Sequence, residues 1–336
     1  MNIFVIMNIY INMNSDICEI ISGYVIKPEY KIREWIDIKM LSYSGLSKNS
    51  KAIDFLKKYP KKIEWMYLSA NTNPEAIEIL KANPEKINWR DLSSNKNPKA
   101  IEILKANPEK INWEVLSKNP NPEALELLKA NPEKINWRYL SSNTNPEAIK
   151  LLKENPEKIN WRYLSLNENP DVIDILKENP EKIVWDVLTL NKNSNPRLLE
   201  IIEDYPDKII SYGFISATPY SYIIRFLKAN PEKINWLNLS LNTNPEAIEI
   251  LKANPEKINW PLLSLNPNPE AIKLLKANPT KINWSNLSSN VNPEVIEMLK
   301  DNSHKINWGN FSSNPNIFYK DVDIEKIKRA IEIIFI

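Results

Sequence analysis

Tryptophan recurs along this chain at a step of 24 residues, at Trp65, Trp89, Trp113, Trp137, Trp161 and Trp185. Trp236, Trp260, Trp284 and Trp308 resume the same step. A period of roughly 20 to 50 residues means that one supersecondary unit is repeated; such a unit cannot bury its apolar face alone and must stack on its neighbours. Between Trp185 and Trp236 lies one degenerate unit, near residues 192–218. There Ser211, in PDKIIS, is read in the Trp place, and an extra dipeptide in NKNSNP and Pro219 stretch the spacing. Upstream, LSYSGLSKN at 41–49 puts Tyr43 in the Trp place. The array therefore holds about twelve units over residues 39–314, between an N-terminal segment and cap (1–38) and an expected C-terminal capping helix (315–336).

One unit, residues 73–96, reads NPEAIEILKANPEKINWRDLSSNK. Asn73 is a good helix N-cap, Pro74 suits the first helical position, and Glu75 complements the helix dipole. Ala76, Ile77, Ile79 and Leu80 supply apolar positions at helical spacing. Pro84 disfavours helical geometry at Asn83, which stops this helix near Ala82. Ile87, Trp89 and Leu92 do not share one continuous helical face. They fit a second short helix capped by Asn88, with Ile87 and Leu92 as a hydrophobic staple, after a turn or single 3₁₀ turn from Pro84 to Ile87. Neither helix is long enough to stand alone, so stacking must hold them. The expected fold is an all-α solenoid of two-helix repeats. With helices packing at roughly 8–10 Å, it would form a rod or arc on the order of 100 Å long, coiled as a right-handed superhelix.

Sister units can be compared within the one chain. The tryptophans are either repeated packing residues or platforms on which a ligand stacks, as in single-strand nucleic-acid binders. The packing reading makes all ten, from Trp65 to Trp308, part of the repeat core and Trp137→Ala a costly change. Asn95 and its equivalents Asn119, Asn143, Asn167, Asn242, Asn266 and Asn290 form a polar ladder or serve as turn residues. Glu75, Glu78 and Lys81 read as a solvated face, with an i,i+3 pair between Glu78 and Lys81. Variation concentrates in the two residues after each Trp and in the slot two after the Leu (Ser94, Lys118, Ser142, Leu166, Leu190, Leu241, Leu265). The candidate partner-binding residues are therefore Arg90, Asp91, Glu114, Arg138, Tyr139, Arg162, Tyr163 and Asp186. Drift at solvent-facing positions would give the same variation. Arg and Tyr are enriched at interface hot spots, which singles out Arg138-Tyr139 and Arg162-Tyr163.

Composition narrows the functions. The net charge is +2, which argues against a strongly basic nucleic-acid or membrane-surface binder. One cysteine, Cys18, and one histidine, His304, make neither a disulfide framework nor a multi-His metal site. With four glycines and no phosphate-cradling motif, no cofactor is expected, and no nucleophile–base pair suggests an enzyme. The apolar start MNIFVIMNIYI lacks a basic n-region and is shorter than a bilayer span. It reads as packed or frayed structure, as an extension before a start at Met13, or as a targeting or membrane element.

The ends are expected to cap the stack. Residues 16–25 (DICEIISGYV) read as a short amphipathic helix, and 30–38 (YKIREWIDI) completes an N-terminal cap carrying Trp35. Ile324, Ile327, Ala330, Ile331 and Ile334 give a helical period for a C-terminal capping helix. The unit NPEAIELLKxNPEKINWxxLSxN, from about Tyr30 to Ile317, resembles a mimivirus-like tandem short-repeat family encoded in many copies by giant DNA viruses. Members carry runs such as NPNAIxLLExNxDKIDWxxLS; this chain has Glu-Lys-Ile-Asn-Trp where they have Asp-Lys-Ile-Asp-Trp, which changes the N-cap residue but keeps its role. The resemblance implies an intracellular protein of viral origin, in host cytoplasm or virion, more than it implies an activity. Some giant-virus repeat proteins begin with an F-box-like helix pair, to which Ile17, Ile20, Ile21 and Val25 are faintly similar. The leading functional expectation is a non-enzymatic scaffold that binds a host or viral protein. The alternatives are a reader of nucleic acid, using lysines such as Lys86, Lys110, Lys134 and Lys158, and a virion structural protein.

Overall fold

The computed structural model describes residues 29–190 and 212–321 and, between them, residues 197, 200, 201, 204, 205 and 208. The apolar N-terminus, the amphipathic stretch at 16–25 with the F-box-like isoleucines, and the isoleucine period at 324–334 lie outside the described residues. The described chain is mostly helical, an array of repeated short helices. It divides into two compact units, residues 37–316 and a smaller unit containing segments from both ends, residues 1–36 and 317–336.

Within the larger unit each repeat has three parts. A helix opens with Asn-Pro, as at Pro74–Lys81, where the Asn73 side chain accepts from the Glu75 N–H and Ala82 is the C-cap. A single 3₁₀ turn follows at Pro84–Lys86. The tryptophan then starts the second helix, Trp89–Ser94, whose N-cap Asn88 accepts from the Asp91 N–H. Proline at each first position removes an N–H that would have no helical partner and sets φ in advance. The same three parts recur at 98–116, 122–140, 146–164, 245–263 and 269–288. Each helix buries one stripe. In the first it is Ala148, Ile149 and Leu152, at 0–2% exposure; in the second it is Leu164, at 0%. Alanine at the tightest point lets Pro-started helices of successive units approach one another.

The end of the degenerate unit, in the helix Gly213–Ala217, keeps the joint of the other units in a shifted register. Ser216 occupies the Leu-Ser serine position: its N–H donates to Tyr212 O, and its Oγ accepts from the Asn235 N–H at 2.9 Å. Tyr212 therefore stands in the Trp place, three before Ile215, as Trp89 stands three before Leu92. This corrects the assignment of Ser211 to that place by one residue.

The array does not run open as a rod or arc. Ser42 N–H donates to Ser312 Oγ at 2.8 Å, and Asn49 Nδ2 donates to Ser312 O (3.4 Å) and Asn314 O (3.1 Å). These are the bonds that each unit makes to the one before it elsewhere, as when Asn71 Nδ2 donates to Ser47 O and Asn49 O. The helix Tyr43–Lys48 thus packs on Trp308–Ser312 as a next repeat would, and the unit of residues 37–316 closes on itself. A superhelix with a rise per turn would carry the last repeat past the first, so the expected right-handed superhelix is replaced by a ring. Closure is tight at Gly45, where a Cβ would stand 2.6 Å from the Ser312 Cβ.

The terminal unit also departs from expectation. Glu29–Ile32 (β1) pairs antiparallel with Phe318–Asp321 (β2), with Tyr30 opposite Lys320 and Lys31 opposite Tyr319, and Arg33 N–H extends the ladder to Ile317 O at 3.1 Å. Residues 315–321 form a 3₁₀ turn, Pro315–Ile317, and a strand rather than the start of a capping helix. The cap expected at 30–38 is likewise strand and turn, ending in the 3₁₀ helix Ile38–Met40.

Candidate interaction face

The joints between repeats are polar and repeat with little change. Ser141 Oγ donates to Trp137 O at 2.8 Å within its own helix and accepts from the Asn160 N–H of the next unit at 2.9 Å. Asn143, fully buried, donates from Nδ2 to Ser117 O (3.0 Å) and Asn119 O (2.9 Å), while its Oδ1 accepts from the Asn145 N–H (3.0 Å). Asn145 caps the next helix through Oδ1 and donates from Nδ2 back to Pro120 O at 2.8 Å. The recurring asparagines are therefore both ladder and turn: one amide satisfies two carbonyls of the unit behind and one N–H of its own loop. No buried side-chain nitrogen or oxygen among the described residues lacks a partner.

The tryptophans sit at the edge of this framework. They are partly buried, whereas the fully buried positions belong to Leu, Ile, Ala, Ser and Asn. Placing all ten indoles in the repeat core is corrected to that extent. In five units the lysine three residues before the Trp reaches back over the aromatic ring of the preceding unit. Lys158 lies 4.5 Å from the Trp137 centroid, Lys182 4.9 Å from Trp161, Lys305 4.5 Å from Trp284 and Lys62 4.4 Å from Tyr43. Lys233 does the same over Tyr212 at 5.3 Å, which again marks Tyr212 as the Trp equivalent. Such contacts are worth about 0.5–1 kcal/mol each at exposed sites. At these units the ring face that could stack a base is covered by an ammonium group of the same chain.

The first helices are tied on their outer faces by ion pairs between units. Lys105 reaches Glu123 at 3.0 Å, Lys228 reaches Glu246 at 2.9 Å and Lys276 reaches Glu294 at 2.7 Å. Glu78 pairs with Lys99 of the next unit at 2.6 Å, in place of the expected pair with Lys81. That hydrogen bond holds the Glu78 carboxyl below its ordinary value.

The candidate residues fall on a face that this framework leaves free. The position after each of the ten repeat tryptophans is exposed, from Met66 through Arg90, Glu114, Arg138, Arg162 and Asp186 to Gly309. Six candidates come together in one row. The Glu114 carboxylate near the Tyr139 hydroxyl pushes the phenol up. Tyr139 packs against Tyr163 with ring centroids 5.9 Å apart, and the Arg138 guanidinium lies 4.8 Å from the Tyr163 ring. Arg162 reaches Asp186 at 3.7 Å. Arg90 is exposed and Asp91 partly so, one unit before the row. Asp91 N–H is held by its N-cap, and its O accepts from Ser94 Oγ.

A groove beside this row is lined by the slot two after the Leu, through Ser94, Lys118, Ser142 and Leu166, and by Tyr163. A further slot, directly after the ladder asparagine, also faces it with Lys96, Pro120, Thr144 and Glu168. Sequence reasoning missed that slot, although its four unlike residues vary as freely as the others. Among the described residues no group of His, Cys, Asp and Glu has the arrangement of a metal site, and no helix is long and apolar enough to cross a membrane. No family model, curated protein or solved structure matches the chain.

Proposed function

We propose that this chain is a repeat scaffold that binds a protein partner, of host or viral origin, through the face running from Glu114 to Asp186. The observation that carries this reading is the division of labour within each repeat. Buried Leu, Ile, Ala, Ser and Asn recur almost unchanged, while Arg138, Tyr139, Arg162 and Tyr163 vary in sequence yet assemble into one contiguous aromatic and cationic row. Tyr and Arg offer large contact area and directional hydrogen bonding at low entropic cost. The nucleic-acid alternative draws less support, because Lys158, Lys182, Lys233 and Lys305 lie on aromatic rings of their own chain and the net charge is only +2. Self-assembly in a virion is the remaining alternative, and the resemblance to giant-virus repeats supports a viral origin on sequence motifs alone.

The experiment is an affinity pull-down of the tagged protein from eukaryotic host lysate, with and without nuclease. It runs beside a variant carrying Arg138→Ala, Tyr139→Ala, Arg162→Ala and Tyr163→Ala. A nuclease-resistant protein recovered by the wild type and lost in the variant is the expected result. Nuclease-sensitive recovery, or recovery that the variant leaves unchanged, contradicts the assignment.

A further inference from the structure

Building on that reading, we infer that the groove beside the row takes an extended peptide segment with acidic residues at one end and an aliphatic side chain at the other. The chemistry of the groove is graded along its length. At one end stand Lys96 and Lys118, on successive repeats and both exposed. Among the described residues neither has an acidic side chain within ion-pairing distance, unlike the lysines of the first helices. At the far end Leu166 is 38% exposed, more than Leu241 and Leu265 in the same slot of other units, which are partly buried, and it lies beside Tyr163. Between the two ends the wall is formed by Asn119, Pro120, Ser142 and Thr144. The Ser142 hydroxyl hydrogen is donated to Tyr139 O, so its oxygen can accept from a backbone N–H, and the Thr144 hydroxyl can donate to a backbone C=O, of a chain in extended conformation, whose backbone groups have no internal partners.

Glu168, next to Leu166, fixes the direction. A carboxylate of the peptide is repelled there and attracted at Lys96 and Lys118, so the acidic end lies over the earlier repeats and the aliphatic end over Leu166. The groove spans about two to three repeat steps of roughly 8–10 Å, which an extended chain covers in about six to eight residues. A helix is a poor occupant, because it would present its apolar side chains as one continuous stripe, whereas the apolar lining residues Val115, Pro120 and Leu166 are interrupted by Lys118, Ser142 and Thr144.

The test uses the full-length protein and a fluorescein-labelled octapeptide with two glutamates at one end, a leucine at the other and serines between, read by fluorescence anisotropy. Comparison probes replace the glutamates by lysines or the leucine by alanine, and a labelled oligouridine strand stands for nucleic acid. The acidic peptide is expected to bind, more weakly as salt is raised. Lys96→Glu combined with Lys118→Glu is expected to weaken it about tenfold and to admit the lysine peptide. Leu166→Asp is expected to remove the preference for leucine over alanine. All three positions are exposed, and unchanged far-UV circular dichroism confirms that the variants fold. Absence of binding by the acidic peptide, or equal binding by wild type and variants, overturns the groove assignment. It leaves the scaffold reading standing if the pull-down partner is still lost in the variant lacking Arg138, Tyr139, Arg162 and Tyr163. Oligouridine bound more tightly than any peptide, and lost on the same charge reversal, overturns both.

Discussion

Asn143 shows how much of the structure rests on one repeated amide. It has no exposed surface and makes three hydrogen bonds, two of them to carbonyls of the preceding units. Asn143→Ala would strand those carbonyls and the Asn145 N–H in a buried site. We expect a loss of about 2–4 kcal/mol, read as a lower urea midpoint at an unchanged m-value. Trp137→Ala should cost about 3 kcal/mol, the low end for a large aromatic, because the indole is only partly buried. Lys158→Ala, which uncovers the same ring, should cost about 0.5–1 kcal/mol. If the lysine change proved as costly as the tryptophan change, the ammonium group would hold more than the ring contact.

At the scale of the element, most of the repeat was legible. Asn-Pro at most starts, Pro after the first helix and Asn before Trp are local signals, and most of the caps they announced are observed; after Asn169-Pro170 and Asn292-Pro293 the helix starts later, with Asp171 and Glu294 at the N-cap. What sequence did not reveal was the partner of each exposed charge. Glu78 chose Lys99 over Lys81 because the next helix stands beside it, which spacing along one helix cannot show. The degenerate repeat gives the clearest electrostatic prediction. Arg197 donates to Asp174 Oδ1 of the preceding unit at 2.8 Å and to Glu200 Oε1 at 2.8 Å. These hydrogen bonds hold both carboxyls below their ordinary values of 3.8 and 4.5. A carboxyl with a lowered folded-state pKa contributes stability that is present above its unfolded value and lost as pH falls through the folded value. Thermal stability should therefore drop as pH is lowered below about 4.5. Arg197→Ala should flatten part of that drop while leaving the slope above pH 5 unchanged. A drop of equal size in the variant would place its origin in the other carboxylates.

The ring belongs to the unit of residues 37–316 as a whole, and it was the least legible feature. Curvature is the sum of small rotations at every joint, and no single residue encodes it. Ser312 and Asn314 read like any other repeat; only afterwards is Gly45 seen as the position where the first unit gives way to the last. In other units the same slot carries side chains as large as Tyr139. Gly45→Val should therefore clash at the seam and nowhere else. We expect about 1–3 kcal/mol of destabilisation and a larger radius of gyration by small-angle scattering as the ring opens. An unchanged radius together with an unchanged melting temperature would mean that the seam adapts. The terminal strands were equally hidden, since β1 and β2 each become a strand only by pairing with the opposite end of the chain.

Closure also restrains how such a gene can change. An open solenoid gains or loses a unit at little cost, because each repeat touches only its neighbours. In a ring of about twelve units each joint must turn by about 30°, so the number of units and the turn at each joint are tied together. The near-identical segments encoding PEAIEILKANPEKINW are natural sites for unequal recombination. A product one repeat shorter would stop about one joint short of the seam, with the Ser312 hydroxyl out of reach of the Ser42 N–H. Copy number, neutral in an open array, is here tied to a hydrogen bond between the first and last repeats.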